Sequence, residues 1–265
     1  MRPRAYFARH PVFTHEEFVL AHTSAGRSEH TSNAALAQAV EAGRLVRIRR
    51  GLYATVAPDC PPDAVQPDPY LVASKLQPDA VVAYHAALAF HGAAYSEWNR
   101  VQYVTAARVR TIKFQGVEFV GEQAPAAVRS LTEFGGGVLV RLHAGGEVRV
   151  TSLERTMVDS LHAPSRSGGW EELWRSLTAV SYMDLDEVER FALLYGSALT
   201  AARVGFVLEQ QRDAWMVEDK HLSALARRAP KQARYLDGRR EPGRLVKPWI
   251  LIVPEWVLER HWDEP

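Results

Sequence analysis

Arg44-Leu-Val-Arg-Ile-Arg-Arg-Gly-Leu-Tyr53 is the stretch that decides the fold. Val46 and Ile48 alternate with Arg47 and Arg49, the period of two expected of a half-buried strand. Arg50-Gly51 supplies a turn, and Leu52-Tyr53-Ala54 returns as a second strand. The stretch predicts a short hairpin with arginine at its tip.

Two helices are expected upstream. Phe13-Thr14-His-Glu-Glu17-Phe18 reads as a helix start: Thr14 caps, Glu17 completes a capping box, and Phe13 can staple onto Phe18. This helix should run to about His22, where the polar Thr23-Ser-Ala-Gly-Arg-Ser28 breaks it. A second helix starts between Ser28 and Ser32, either of which could cap it, and stops at Gly43, a residue suited to the left-handed position after a helix. Leu36, Ala39, Val40 and Gly43 form its core stripe. Thr31, Ala34, Gln38 and Glu41 fall opposite.

Helix, helix, then hairpin is the order of a winged helix-turn-helix. The second helix would enter a major groove, with Gln38 able to read adenine and an alanine methyl able to touch a thymine methyl. The expected DNA contacts are Arg27, Ser28, His30, Thr31, Ala34 and Gln38 from the helix and its approach. Arg44, Arg47, Arg49 and Arg50 on the wing would hold phosphate or the minor groove. The bland alternatives are a solvated helix face and a plain structural ribbon.

Charge favours the first reading. The chain of 265 residues carries 32 Lys+Arg against 31 Asp+Glu, a near-neutral balance that taken alone argues for no polyanionic partner. The sum hides two unlike parts. Residues 1–56 hold eight Arg (2, 4, 9, 27, 44, 47, 49 and 50), no Lys and four Glu, a net of +4, which leaves −3 for the remainder. Arginine is the cation whose planar fork matches phosphate and the guanine edge. So few basic residues imply modest binding by one chain, and hence two copies on a tight site.

Composition is otherwise ordinary, with 47% hydrophobic and 24% charged residues, and excludes a disordered, collagen-like or coiled-coil chain. The one cysteine, Cys60, makes no internal disulfide or thiolate cluster and suits a reducing compartment. No apolar run of signal-peptide length follows the start, and Trp249–Val253 is far short of the roughly 20 residues of a membrane span. A cytoplasmic protein is expected.

Five prolines (58, 61, 62, 67 and 69) between Thr55 and Pro69 remove the N–H donors regular structure needs, which places a linker at 57–69 between a winged helix at 1–56 and a body at 70–265. In the body, 70–76 and 84–91 read as helices. Segments 101–105, 111–115, 117–120, 138–142 and 147–150 read as strands. Thr151-Ser-Leu-Glu154 has the spacing of a second capping box and opens a helix to about Leu161. Helices are expected near 169–179, 185–194, 198–212 and 220–228, and a buried strand at 249–253. Without strict strand–helix alternation the fold class is α+β.

The body offers little chemistry. His85 and His91 are six apart, on different helical faces, and no metal spacing occurs among the ten His. No phosphate-binding glycine loop or nucleophile elbow is present, and Gly135-Gly-Gly137 reads as a loop. Asp184 and Asp186 suit a helix N-terminus. Glu218-Asp-Lys220 after Asp213 is loosely like a restriction-fold site, on flanks that read as helical, and carries an alternative: a DNA-acting nuclease delivered by the winged helix. Otherwise neither enzyme activity nor a cofactor is expected.

At this point the sequence resembles the AbiEi-type antitoxins and transcriptional regulators of bacterial type IV, abortive-infection toxin–antitoxin systems. The resemblance rests on residues 41–53 together with Asp68–Leu76, Ala83–Gly92, Arg149–Asp159 and Gly243–Lys247. It implies an N-terminal winged helix, autorepression of an operon through repeated half-sites, phage defence, and antagonism of a nucleotidyltransferase toxin without a tight complex. Such toxins follow a Gly-Ser motif with paired aspartates. Gly196-Ser197 has no such pair downstream, so the chain resembles the antitoxin half. Arg155, Asp159 and Lys247 are the candidate antitoxic surface; the alternatives are a helix-surface ion pair for Arg155 and Asp159, and a solvated loop for Lys247. A solitary regulator without a toxin is the remaining alternative.

Overall fold

The computed structural model describes residues 3–260; Arg2 of the basic head and residues 261–265 of the expected body lie outside them. The head comprises α1 (Pro3–Phe7), β1 (Val12–Thr14), α2 (His15–Thr23), α3 (Glu29–Glu41), β2 (Leu45–Arg49) and β3 (Leu52–Thr55). Its three strands pair antiparallel in the order β1-β3-β2. The hairpin forms as the alternation requires, with Arg47 opposite Tyr53 and Arg49 opposite Leu52, and an irregularity between Arg47 and Arg49. Gly51 has φ of 80°, which lets two residues close the turn.

Local signals place α2 and α3 well. Thr14 accepts from the Glu17 backbone and Glu17 returns the bond, so the capping box is complete. Phe13 and Phe18 are both fully buried with rings 6.0 Å apart, as a staple should be. Ser28, of the two residues able to cap α3, is the one that does.

Neither α1 nor β1 is expected from the sequence. Each is too short for periodicity to show, and each exists because of what it buries. Tyr6 and Phe7 from α1 pack on Phe13 of β1 and Phe18 of α2, with ring centroids 5.1–5.7 Å apart for four of these pairs. Leu36, Ala39, Leu45 and Tyr53 complete this core.

Beyond the head, the chain forms a 3-10 turn (Pro62–Ala64), α4 (Pro69–Ser74), β4 (Val81–Val82), α5 (Tyr84–Phe90), β5 (Arg100–Thr105), β6 (Ile112–Phe114), β7 (Val117–Gln123) and α6 (Ala126–Arg129). Then come β8 (Val138–His143), β9 (Gly146–Thr151), α7 (Leu153–His162), α8 (Trp170–Thr178), α9 (Leu185–Leu194), α10 (Ala198–Gln210) and α11 (Asp219–Ala226). The last elements are β10 (Arg234–Tyr235), β11 (Arg244–Val246), β12 (Leu251–Val253) and α12 (Glu255–Leu258). The larger sheet runs β6-β7-β5-β4-β9-β8, with β4 and β9 parallel and β4 and β5 antiparallel. A small late sheet runs β10-β12-β11. The class is α+β, as expected.

One local expectation fails. The cap of α7 is Ser152, which accepts from the Arg155 backbone, and not Thr151. Thr151 is the buried last residue of β9, bonded to the Thr156 hydroxyl at 2.7 Å, and Glu154 instead accepts from the Asp184 backbone. The strand claims the residue that local spacing assigned to the helix.

The described chain divides into two compact units. The first holds the head, its continuation to Val82, and Asn99–Glu122 with Leu139–Val150. The second holds Ala83–Trp98, Gln123–Val138 and the chain from Thr151 onward. The Pro-rich 57–69 thus falls inside the first unit. There the Gln115 side chain donates to the Asp63 carbonyl at 2.7 Å, and Lys75 pairs with Glu17 of α2.

In the second unit Trp249 is fully buried and donates its indole N–H to Glu209 at 2.7 Å. Its six-membered ring abuts Gly205 of α10, where a Cβ would come within 2.0 Å of a ring carbon. Gly205→Ala should therefore lower stability by about 1–3 kcal/mol through overpacking, despite alanine's better helix propensity. Urea denaturation monitored by circular dichroism checks this; an unchanged or raised midpoint contradicts the packing account.

Candidate nucleic-acid interface

The interface is built on how α3 is held. Its buried side is fixed by Leu36 and Ala39 in the aromatic core and by a bond between His22 of α2 and Ser32 of α3 at 3.1 Å, both side chains almost fully buried. This polar pin sets the relation of the two helices. A second link, His15 to Asn33 at 2.6 Å, joins them at the surface. Burial and the nearby Glu17 charge push the Tyr6 phenol up, so it stays neutral inside the head.

With that side fixed, Thr31, Ala34, Gln38 and Glu41 are all exposed along one face of α3. Arg27, Ser28 and His30 are exposed at its N-terminal approach. The Ser28 hydroxyl is committed to the cap: it accepts from the Thr31 backbone at 3.1 Å and meets the Thr31 hydroxyl at 2.9 Å. The exposed face is small in side-chain bulk, so a groove wall can approach the helix backbone closely. All ten residues expected from the sequence occur in the head, and the structure divides their roles.

The four wing arginines differ. Arg47 is exposed, its guanidinium 6.0 Å from the Tyr53 ring centre. Arg50 is exposed at the hairpin turn. Arg44 is only half exposed, and its Nε is buried without an acceptor among the described residues. Arg49 is exposed and donates from Nη2 to the backbone carbonyl of Leu76, just beyond α4, a bond that tethers the wing. Two of the four, Arg47 and Arg50, are therefore unencumbered cations.

Both line a hollow between α3 and the wing that also takes in His15, Asn33, Ala37 and Glu41. His15, Asn33 and Ala37 are not among the contacts expected from the sequence, which take the face of α3 opposite the core. The wing stands beside α3, so this flank of the helix, next to the Ala34/Gln38 face, adjoins Arg47 and Arg50. The i, i+4 spacing of Asn33, Ala37 and Glu41 is the signal that could have shown this.

The second unit corrects the expected antitoxic surface. Arg155 and Asp159 are 1% and 0% exposed, so neither presents a surface. Arg155 Nε donates to Asp159 at 2.6 Å and Nη1 to the Gly136 carbonyl at 3.1 Å, while the Tyr195 hydroxyl donates to Asp159. Burial works against the Arg155 charge, yet Asp159 and Tyr195 outweigh it and hold its pKa above the ordinary value. The pair is a buried lock between α7 and α9. Lys247 is exposed.

Other candidates have structural partners. His85 stacks on Trp98 and bonds Glu172 at 3.0 Å, and His91 bonds the Thr151 carbonyl at 2.7 Å. Glu218 and Lys220 pair at 3.3 Å at the exposed start of α11, outside any strand, so they lack the setting of a restriction-fold site. No cluster able to hold a metal ion occurs among the described residues. No helix among them is long and apolar enough to cross a membrane.

Residues 1–56 match the family model described as transcriptional regulator, AbiEi antitoxin. The resemblance read from the sequence holds over that segment. Among solved structures the chain is similar to the RV2827C protein from Mycobacterium tuberculosis, with a TM-score of 0.58 and 18% identity over 97% of this chain and 91% of that one. At that identity the likeness is one of fold. No curated protein matches the chain.

Two outcomes follow from the second unit. Asp159→Ala should cost about 3–5 kcal/mol in urea denaturation, because it leaves the Arg155 cation buried without its counter-charge; a loss below about 1 kcal/mol would refute the lock. Burial lowers the His85 pKa from 6.5 despite Glu172, so as pH falls through 6.5 the unfolded chain takes up the proton first and stability drops. Burial raises and bonds from Ser96 and His85 lower the Glu172 pKa, leaving it below 4.5, so its contribution is present above that value and is lost in more acid solution. Denaturation midpoints between about pH 8 and pH 5 should decline, and His85→Gln should flatten the decline.

Proposed function

We propose that the chain is a sequence-specific DNA-binding transcriptional regulator that represses its own operon and acts as the antitoxin to a nucleotidyltransferase toxin. The observation that carries this reading is the head: a segment matching the AbiEi antitoxin regulator family, folded with an exposed Ala/Gln helix face beside two free arginines. In this reading α3 lies in the major groove, Gln38 reads a base edge, Ala34 allows close approach, and the α3 N-terminus faces a phosphate. Arg47 and Arg50 hold the backbone from the wing.

Three exposed wing cations, one of them tethered to a carbonyl, give little counterion release per chain, which supports binding as two copies on repeated half-sites. The chain works without a cofactor and is not an enzyme. Its action on the toxin involves no tight complex, and the setting is phage defence in the cytoplasm.

Gel-shift titrations on the region upstream of the gene test the reading. Arg47→Ala and Arg50→Ala should each weaken binding to all sequences and lower the salt slope by about one. Gln38→Ala should cost about 1–3 kcal/mol on the preferred site and relax its specificity. Arg49→Ala should act more on stability than on the salt slope. Equal binding by wild type and the Arg47/Arg50 double variant sinks the assignment, and nicking of supercoiled DNA in the presence of Mg²⁺ would show an enzyme instead.

A further inference from the structure

The second unit contains a buried cation with nothing negative in contact. Arg203 of α10 is 6% exposed. Its Nε donates to the Leu236 carbonyl at 2.7 Å, and Nη1 donates to the carbonyls of Leu161 at 3.1 Å and His162 at 2.9 Å. Among the described residues Nη2 has no acceptor, and no carboxylate lies within ion-pair distance. Burial lowers the Arg203 pKa to about 10, a fall the Asp237 charge offsets only in part. A buried guanidinium in this state loses hydration without a compensating charge, a cost that a bound anion removes.

Arg203 lines a cavity of about 510 Å³. The start of α8 lines it too, where Gly168 and Gly169 have φ of 86° and 87°. Gly169 is the N-cap and has no side chain to occupy the free N–H groups of the first turn. The acids of that turn are engaged elsewhere: Glu171 pairs with Arg175 at 3.3 Å, and Glu172 takes His85 at 3.0 Å and Ser96. Trp170 lines the same cavity, and its buried indole N–H has no acceptor among the described residues.

A second arginine stands at the rim. Arg239 is exposed, and its Nη2 lies 3.9 Å from where a Cβ on Gly169 would be. The one acid of the lining, Asp237, accepts from the Arg239 backbone at 2.9 Å and so shapes this turn. Arg203, the open helix N-terminus and Arg239 thus line one cavity with N–H donors; no carboxylate is bonded to the Arg203 guanidinium, and Arg239 has only a loose, surface ion pair with Glu241 at 3.6 Å.

We propose that this cavity binds the phosphate group of a small phosphorylated ligand. Three sets of donors on one cavity suit a tetrahedral dianion better than a planar carboxylate. A cavity of this size has room for more than the phosphate, so the remainder of the ligand sits along Trp170.

Isothermal titration of the full chain with inorganic phosphate, pyrophosphate and a nucleoside triphosphate tests this. Saturable binding of any of them is expected, with Kd between micromolar and low millimolar; phosphate alone binding identifies the free anion as sufficient, and only the nucleotide binding identifies the larger ligand. Arg203→Gln should abolish the signal. Because Arg203 also holds three carbonyls, Arg239→Glu at the exposed rim is the second variant, expected to weaken binding at least about tenfold with an unchanged circular dichroism spectrum. Arg50→Ala, on the wing, should leave the titration unaltered. The proposal is overturned if none of the three probes binds at millimolar concentration, if Arg239→Glu binds as wild type does, or if Arg50→Ala removes the signal.

Discussion

Everything the head does depends on packing Tyr6, Phe7, Phe13 and Phe18 against one another. A unit of this length buries a smaller share of its surface than a large domain, so its core must be dense in large side chains. Four aromatic rings from α1, β1 and α2 meet the requirement, and Leu36 and Ala39 then have one place to dock. The orientation of α3, and with it which side chains reach outward, is a consequence of that docking. The His22–Ser32 bond refines it: the Ser32 hydroxyl donates to the Ser28 carbonyl at 3.0 Å and meets the His22 ring at 3.1 Å, a buried polar link that favours one relation of the two helices.

What could be read in the residues divides by range. The α2 start was legible because every participant lies between Phe13 and Phe18. The hairpin was legible because alternation and a glycine turn are local. Thr151 was misread since its claim came from β4, far away in sequence, which pairs with the end of β9 next to it. Arg155 reads as a surface group because arginine mostly is one, and Arg49, which is exposed, gives no local sign of its tether. Their true partners, the Leu76 carbonyl and the Asp159–Tyr195 pair within a closed core, are set by tertiary packing that no short window contains.

The division among arginines changes the sense of the +4 head. Formal charge counted eight Arg, but Arg49 is bonded to a main-chain carbonyl and Arg44 is half sunk. The field near the wing comes from Arg47, Arg49 and Arg50, of which Arg47 and Arg50 border the hollow beside α3. Charge is thus economical and positioned, which favours selectivity over bulk attraction. The Arg203 site shows the converse: a cation hidden from solvent, where a single charge has a larger effect than at a surface.

The bonds from Arg49 to Leu76 and from Lys75 to Glu17 reach outside the segment that the family match covers. A head cut after residue 56 would keep its aromatic core but lose both tethers, one holding the wing and one holding the first turn of α2. As a stretch of sequence the reading head is a portable module. As a mechanical object it is a tip braced on the turn that follows α4, and grafting it onto another body would transplant the letters without the stiffness.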